Sequence, residues 1–145
     1  MFVYDRSMSF SRELLALPGK TNKDNAGEYL PVFMHLLDTE GTIRHLVEHW
    51  LPESIRKAAC GTLSDTEFEK VCRFLALTHD MGKFTPVFAS RILSELPEIK
   101  ENIEAIGWKI PLISDFINPE KSPHALAGAA FLQSKDCPPG IVTVV

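Results

Sequence analysis

Apolar residues return at helical spacing along most of this chain, and prolines and glycines cut the pattern into helix-sized pieces. A long helix is predicted from about Pro31 to Leu51, closed by Pro52 because proline cannot extend the hydrogen-bond ladder. A short helix follows near Glu53 to Cys60 and stops at Gly61; Ser64 or Asp65 then caps a helix that runs to His79. Phe84 to Leu96, ended by Pro97, reads as another short helix. In Glu98 to Asn118, Ile99, Ile103 and Ile106 mark a helical face that Pro111 breaks. Ser122, Pro123 and His124 read as N-cap, N1 and N2 of a helix reaching about Gln133. Met1 to Asn25 is expected to be an irregular lead-in, and strand signals elsewhere are thin. The predicted class is all-α.

One of these helices ends in chemistry. Between Phe68 and His79, the apolar residues Phe68, Val71, Cys72 and Leu75 share a face. At about 100° per residue, His79 falls within roughly 20° of Phe68, so it is expected to point inward. Asp80 follows at the helix end, where the macrodipole opposes an acidic group and favours a nearby cation. Gly82 is expected to stop the helix. Adjacent histidine and aspartate offer a nitrogen and an oxygen to one point, a mixture suited to zinc, manganese, iron, nickel or cobalt, with magnesium accepted by the carboxylate. A core histidine beside a surface aspartate would leave the same text. Lys83, one turn beyond Asp80, can neutralise a phosphate oxygen, pair with Asp80 or simply face water.

The remaining histidines sort by helix face. Taking His35 as zero, the apolar arc of the long helix covers roughly 20° to 200°, which puts His35 at its edge. His45 and His49 fall near 280° and 320°, on the polar side, and are expected to face solvent. His35 and His49 are also about 21 Å apart along the axis and cannot serve one ion. His124 opens a helix of small residues, Ala125 to Ala130, which lets that helix approach its neighbours closely. There it either faces a shared site or merely caps a buried helix.

The chain's 145 residues suit one domain, and 45% hydrophobic with 23% charged residues is ordinary for a soluble globular protein. No apolar run approaches a membrane span and no signal pattern opens the chain. Cys60, Cys72 and Cys137 are widely spaced and odd in number, which fits a reducing, cytoplasmic setting. The formal net charge of −4 supplies no global attraction for nucleic acid, so any polyanion binding must rest on a local patch or on metal ions.

In order along the chain, Tyr29 to Thr39 around His35, Thr78 to Phe88 around His79-Asp80 and Lys83, and Ser122 to Gly128 around His124 resemble three motifs of the HD nuclease domain of the CRISPR-associated nuclease-helicase. That domain is a branch of the HD phosphohydrolase superfamily. The Gly19-Lys20-Thr21 loop also resembles a family lead-in. The resemblance implies an HD-domain helical bundle over residues 1–145. It further implies His35, His79, Asp80 and His124 as metal ligands, with Asp80 shared between two ions and Lys83 as a near-site cation. The implied reaction is metal-assisted cleavage of single-stranded DNA, in antiviral defence directed by a guide-RNA surveillance complex. Two cations about 4 Å apart activate water and stabilise the leaving oxygen, so no side-chain nucleophile is needed.

The family pattern continues with a His-His-Gly and, beyond it, a further aspartate; no His-His occurs in this chain, and no residues remain to supply that distal aspartate. The bundle is therefore expected to be incomplete at its C-terminus, with the helicase portion absent and cutting weak or lost. Its uncovered apolar surface is expected to favour oligomers. Two other readings stand beside the nuclease: an inactive HD-like binding module of a CRISPR complex, and an HD nucleotide phosphohydrolase.

Overall fold

Proline stands at the cap or first position of six of the described helices, and serine caps the other two. The computed structural model describes residues 11–143 apart from positions 23 and 26. Among the described residues it contains eight α-helices and one two-stranded antiparallel sheet: α1 (Arg12–Ala16), β1 (Pro18–Thr21), β2 (Tyr29–Pro31), α2 (Val32–His49), α3 (Glu53–Cys60), α4 (Asp65–Thr78), α5 (Pro86–Ser94), α6 (Pro97–Ala105), α7 (His124–Gln133) and α8 (Pro139–Val142). The fold is mostly helical, as expected.

The lead-in is where the expectation needs correction. Residues 1–10 and position 23 lie outside the described part, but the segment also holds a helical turn at Arg12–Ala16 and a strand at Pro18–Thr21. Ser11 caps α1 through the Leu14 amide, and β1 pairs with β2 with an irregularity between Pro18 and Lys20. The Gly19-Lys20-Thr21 text is thus strand, not loop. Gly19 is required there by close approach: a Cβ on it would stand 2.8 Å from the Cα of Val32. The ribbon therefore lies directly on the start of α2.

The principal core joins α1 and β1 to α2, α5 and α6. Leu17, Val32, Leu93 and Ile103 are buried at its centre, with Leu36, Ala89 and Ile99 around them. Each fully buried aliphatic side chain of this size contributes about 1.5–3 kcal/mol. Trp108 and Ile110 pack on its edge.

Helix α4 lies along α2 and is tied to it by an ion pair between Arg73 and Glu40. Its start is a capping box: Ser64 Oγ accepts from the Glu67 amide, and the Glu67 carboxylate accepts from the Ser64 amide at 2.8 Å. Ser64, rather than Asp65, is the cap. Between α2 and α4 an apolar groove of about 600 Å³ is lined by Ile43, Leu46, Trp50, Phe68, Leu75 and, at the site, His79. Trp50 is 72% exposed.

Two further boundaries differ from the sequence reading. Helix α7 begins at His124 with Pro123 as its cap residue, because Ser122 closes the preceding 3₁₀ turn by donating its amide to the Pro119 carbonyl. The segment 84–96 is helical only from Pro86 to Ser94, since Met81–Phe84 forms a separate 3₁₀ turn.

Candidate metal centre

Asp80 is the hub of the site. Helix α4 ends at Thr78, His79 is its C-cap, and Asp80 begins the 3₁₀ turn, with its side chain only 12% exposed. Asp80 Oδ2 lies 3.1 Å from His35 Nε2, 3.4 Å from His79 Nε2 and 2.7 Å from Lys83 Nζ. Asp80 Oδ1 lies 3.1 Å from His124 Nε2. Four separate elements thus deliver their polar groups to one carboxylate: α2, the end of α4, the 3₁₀ turn and the first residue of α7.

Gly82 makes this convergence sterically feasible. It is buried, and a Cβ built on it would fall 1.7 Å from the carbonyl oxygen of His124 and 2.8 Å from the amide of Gly128. Gly128 in turn faces the Gly82 backbone, where its own Cβ would stand 3.3 Å from the Gly82 amide nitrogen. The two glycines let the backbone of α7 lie against the 3₁₀ turn, and that contact brings His124 to Asp80. Gly82 does not end α4 with a left-handed residue, because its φ is not among the positive values. Its function is the crossing.

The imidazoles are oriented for donation. His79 Nδ1 donates to the Ala76 carbonyl at 2.8 Å, which fixes the ring and turns Nε2 toward Asp80. His79 is half-buried and shares the groove wall with Phe68, Cys72 and Leu75, as its predicted inward position requires. His45 and His49 are exposed near the far end of α2; their rings contact each other at 4.7 Å, and His49 Nε2 lies 3.5 Å from Glu48. They stand apart from the cluster.

Burial works against the charge on Asp80, yet its carboxyl is held below its ordinary pKa. The hydrogen bond and charge of Lys83 outweigh the burial, helped by His79 and His124. Lys83 is therefore not a surface lysine: its side chain is 14% exposed and its ammonium also donates to the Gly19 carbonyl at 3.3 Å. The cation that the helix dipole calls for beside Asp80 is present.

The donor set suits a metal. Ligand atoms of His35, His79 and Asp80 all lie within 4.8 Å of one another. Donors about 2.0–2.2 Å from a tetrahedral ion stand roughly 3.4 Å apart, close to the 3.1 and 3.4 Å that separate Asp80 Oδ2 from His35 and His79. Two imidazoles and a carboxylate favour a transition ion over magnesium.

Three contributors had little or no sequence signal. The Ala76 and Gly19 carbonyls are backbone atoms whose partners depend on the fold. Phe88 stands within the second motif without any polar atom to mark it, yet its ring meets His124 at 5.8 Å between centroids.

A family model described as "Cas3, HD domain" matches residues 19–140. The chain belongs to the Cas3 HD-domain family. The domains of this family bind divalent metals, in keeping with the His-His-Asp cluster. Among curated proteins, the CRISPR-associated nuclease/helicase Cas3 of Streptococcus thermophilus is 26% identical over 137 residues, covering 87% of this chain and 15% of that relative. The chain therefore spans about 15% of the length of this relative. No solved structure matches it.

Proposed function

We propose that residues 1–145 form a single HD-type domain that binds divalent transition metal through His35, His79, Asp80 and His124 and cleaves single-stranded DNA in CRISPR antiviral defence. The guide-RNA surveillance complex would be its upstream partner, by analogy with the nuclease/helicase relative. The observation that carries this reading is the division of Asp80: one oxygen faces His35 and His79, the other faces His124. Each oxygen of this carboxylate would thus act as a metal donor with its own set of imidazoles.

When bound, the metal supplies an activated water and neutralises charge on the phosphodiester. The chain's own residues hold that chemistry in place. The His79 ring is oriented by its Nδ1 bond to the Ala76 carbonyl, and His35 approaches from α2 on the same side. Lys83 keeps Asp80 ionised and puts a fixed positive charge beside the position a phosphate would take. Four donors suffice for one ion and leave a second short of ligands, so cutting by these residues alone is expected to be slow.

The test is cleavage of single-stranded DNA by the 145-residue chain with manganese, nickel or cobalt, beside Asp80→Ala. Slow, metal-dependent cutting lost in Asp80→Ala supports the proposal. Cutting that survives in Asp80→Ala contradicts it. A second reading, the inactive binding module, is favoured by one feature: Lys83 already neutralises Asp80. Failure of the wild-type chain to take up any of these metals would select it.

A further inference from the structure

The Phe88 ring stands beside both groups that grip the ends of the Asp80 carboxylate. Its centroid is 5.8 Å from that of His124, in an edge-to-face arrangement with 72° between planes, and 5.9 Å from Lys83 Nζ. His124 holds Asp80 Oδ1 and Lys83 holds Oδ2. The two histidine sites differ in how they are fixed. The His79 imidazole is tied to a backbone carbonyl, whereas the His124 ring meets Asp80 on one side and the Phe88 ring on another.

Phe88 is itself rigidly placed. Thr85 Oγ1 donates to the Gly82 carbonyl at 2.7 Å, Pro86 starts α5, and Phe88 lies in the first turn of that helix. The same 3₁₀ turn that carries Asp80 and crosses α7 at Gly82 therefore also sets the position of the aromatic ring. An edge-to-face contact restricts the rotation of an imidazole, and the negative face of a benzene ring attracts an ammonium. Neither contact requires a polar atom from Phe88.

We propose that Phe88 is a positioning residue that holds the His124 imidazole and the Lys83 ammonium in register on the two oxygens of Asp80. This rests on the reading of His124 as a metal ligand, and it adds that the second oxygen's site depends on an aromatic wall. Removing the ring should loosen the His124 side while leaving the His35 and His79 side intact.

The experiment compares Phe88→Leu, which keeps bulk but loses the ring, with Phe88→Tyr, which keeps it. In the metal-free protein, histidine ring signals are followed by nuclear magnetic resonance. The expectation is that His124 signals shift and broaden in Phe88→Leu, those of His35 and His79 stay in place, and Phe88→Tyr restores the wild-type pattern. In a manganese or cobalt titration, Phe88→Leu should weaken uptake by about tenfold on the His124 side, with Phe88→Tyr within about twofold of wild type. Unchanged His124 signals in Phe88→Leu overturn the proposal, as does an equal disturbance of all three histidines in both variants. If the wild-type chain takes up no metal, the ligand reading fails, and the metal-free signals alone decide whether Phe88 positions His124.

Discussion

Replacing Gly82 by alanine places a methyl group where the backbone of α7 already lies. The new Cβ would stand 1.7 Å from the His124 carbonyl oxygen, against 3.4 Å or more for ordinary contact, and the clash is with backbone that cannot rotate away. Relief requires α7 and the 3₁₀ turn to separate by about the missing 1.7 Å. The 3.1 Å approach of His124 Nε2 to Asp80 Oδ1 is lost over such a displacement. Overpacking of this kind costs about 1–3 kcal/mol, which for a domain of this size lowers the melting temperature by roughly 3–10 °C. Gly128→Ala supplies the internal scale, because its Cβ meets Gly82 N at 3.3 Å and Met81 Cγ at 3.4 Å, a crowding that small shifts relieve. Calorimetric melting should therefore rank Gly82→Ala well below Gly128→Ala. In a cobalt titration, Gly82→Ala should lose the His124 contribution while the variant is still folded. A Gly82→Ala protein that melts within about 1 °C of wild type and binds cobalt equally would refute the claim that this crossing builds the site.

Three other substitutions probe different parts. Lys83→Met removes a charge 2.7 Å from a ligand oxygen; in water-like surroundings its repulsion of a divalent ion about 4 Å away is about 2 kcal/mol, so cobalt should bind roughly thirtyfold more tightly at neutral pH. In the same variant only His79 and His124 oppose the burial of Asp80 and its pKa rises, so metal uptake should fail at a higher pH than in wild type, as a titration across pH would record. Cutting should nonetheless fall in Lys83→Met if its charge serves the phosphate. Ser64→Ala deletes the cap of α4 and should cost about 0.5–2 kcal/mol in urea unfolding. The Glu67 carboxyl is held below its ordinary pKa by the Ser64 hydroxyl and then the Ser64 amide, so its contribution is present above the unfolded-state pKa and is lost as pH falls through the lowered folded value. The gap between wild type and Ser64→Ala should accordingly narrow in acid.

The helices were legible because local residues decide them. Pro52, Gly61 and Pro97 mark boundaries with backbone chemistry, and α3 occupies Glu53–Cys60 as read. The placement of His79 followed from helical angle alone, since Phe68, Cys72 and Leu75 do share its wall. The β-ribbon was not legible: Pro18, Gly19 and Pro31 are poor strand formers, and β2 has three residues. Its existence depends on packing against Val32, which no local pattern announces. Gly82 shows the same limit, since a glycine after a helix reads as a stop whether or not another helix presses on it. Lys83 read most simply as a surface residue because its partners, Asp80 and the Gly19 carbonyl, meet only in the folded chain.

The most direct test of the metal centre is the stoichiometry and affinity of cobalt or manganese binding in four single variants of the full chain. His79→Ala and Asp80→Ala remove donors from the cluster, whereas His45→Ala and His49→Ala remove exposed imidazoles near the C-terminal end of α2. The account predicts that the first pair loses tenfold or more in affinity and that the second pair binds as wild type does. Equal loss in all four, or undiminished binding in Asp80→Ala, would contradict it.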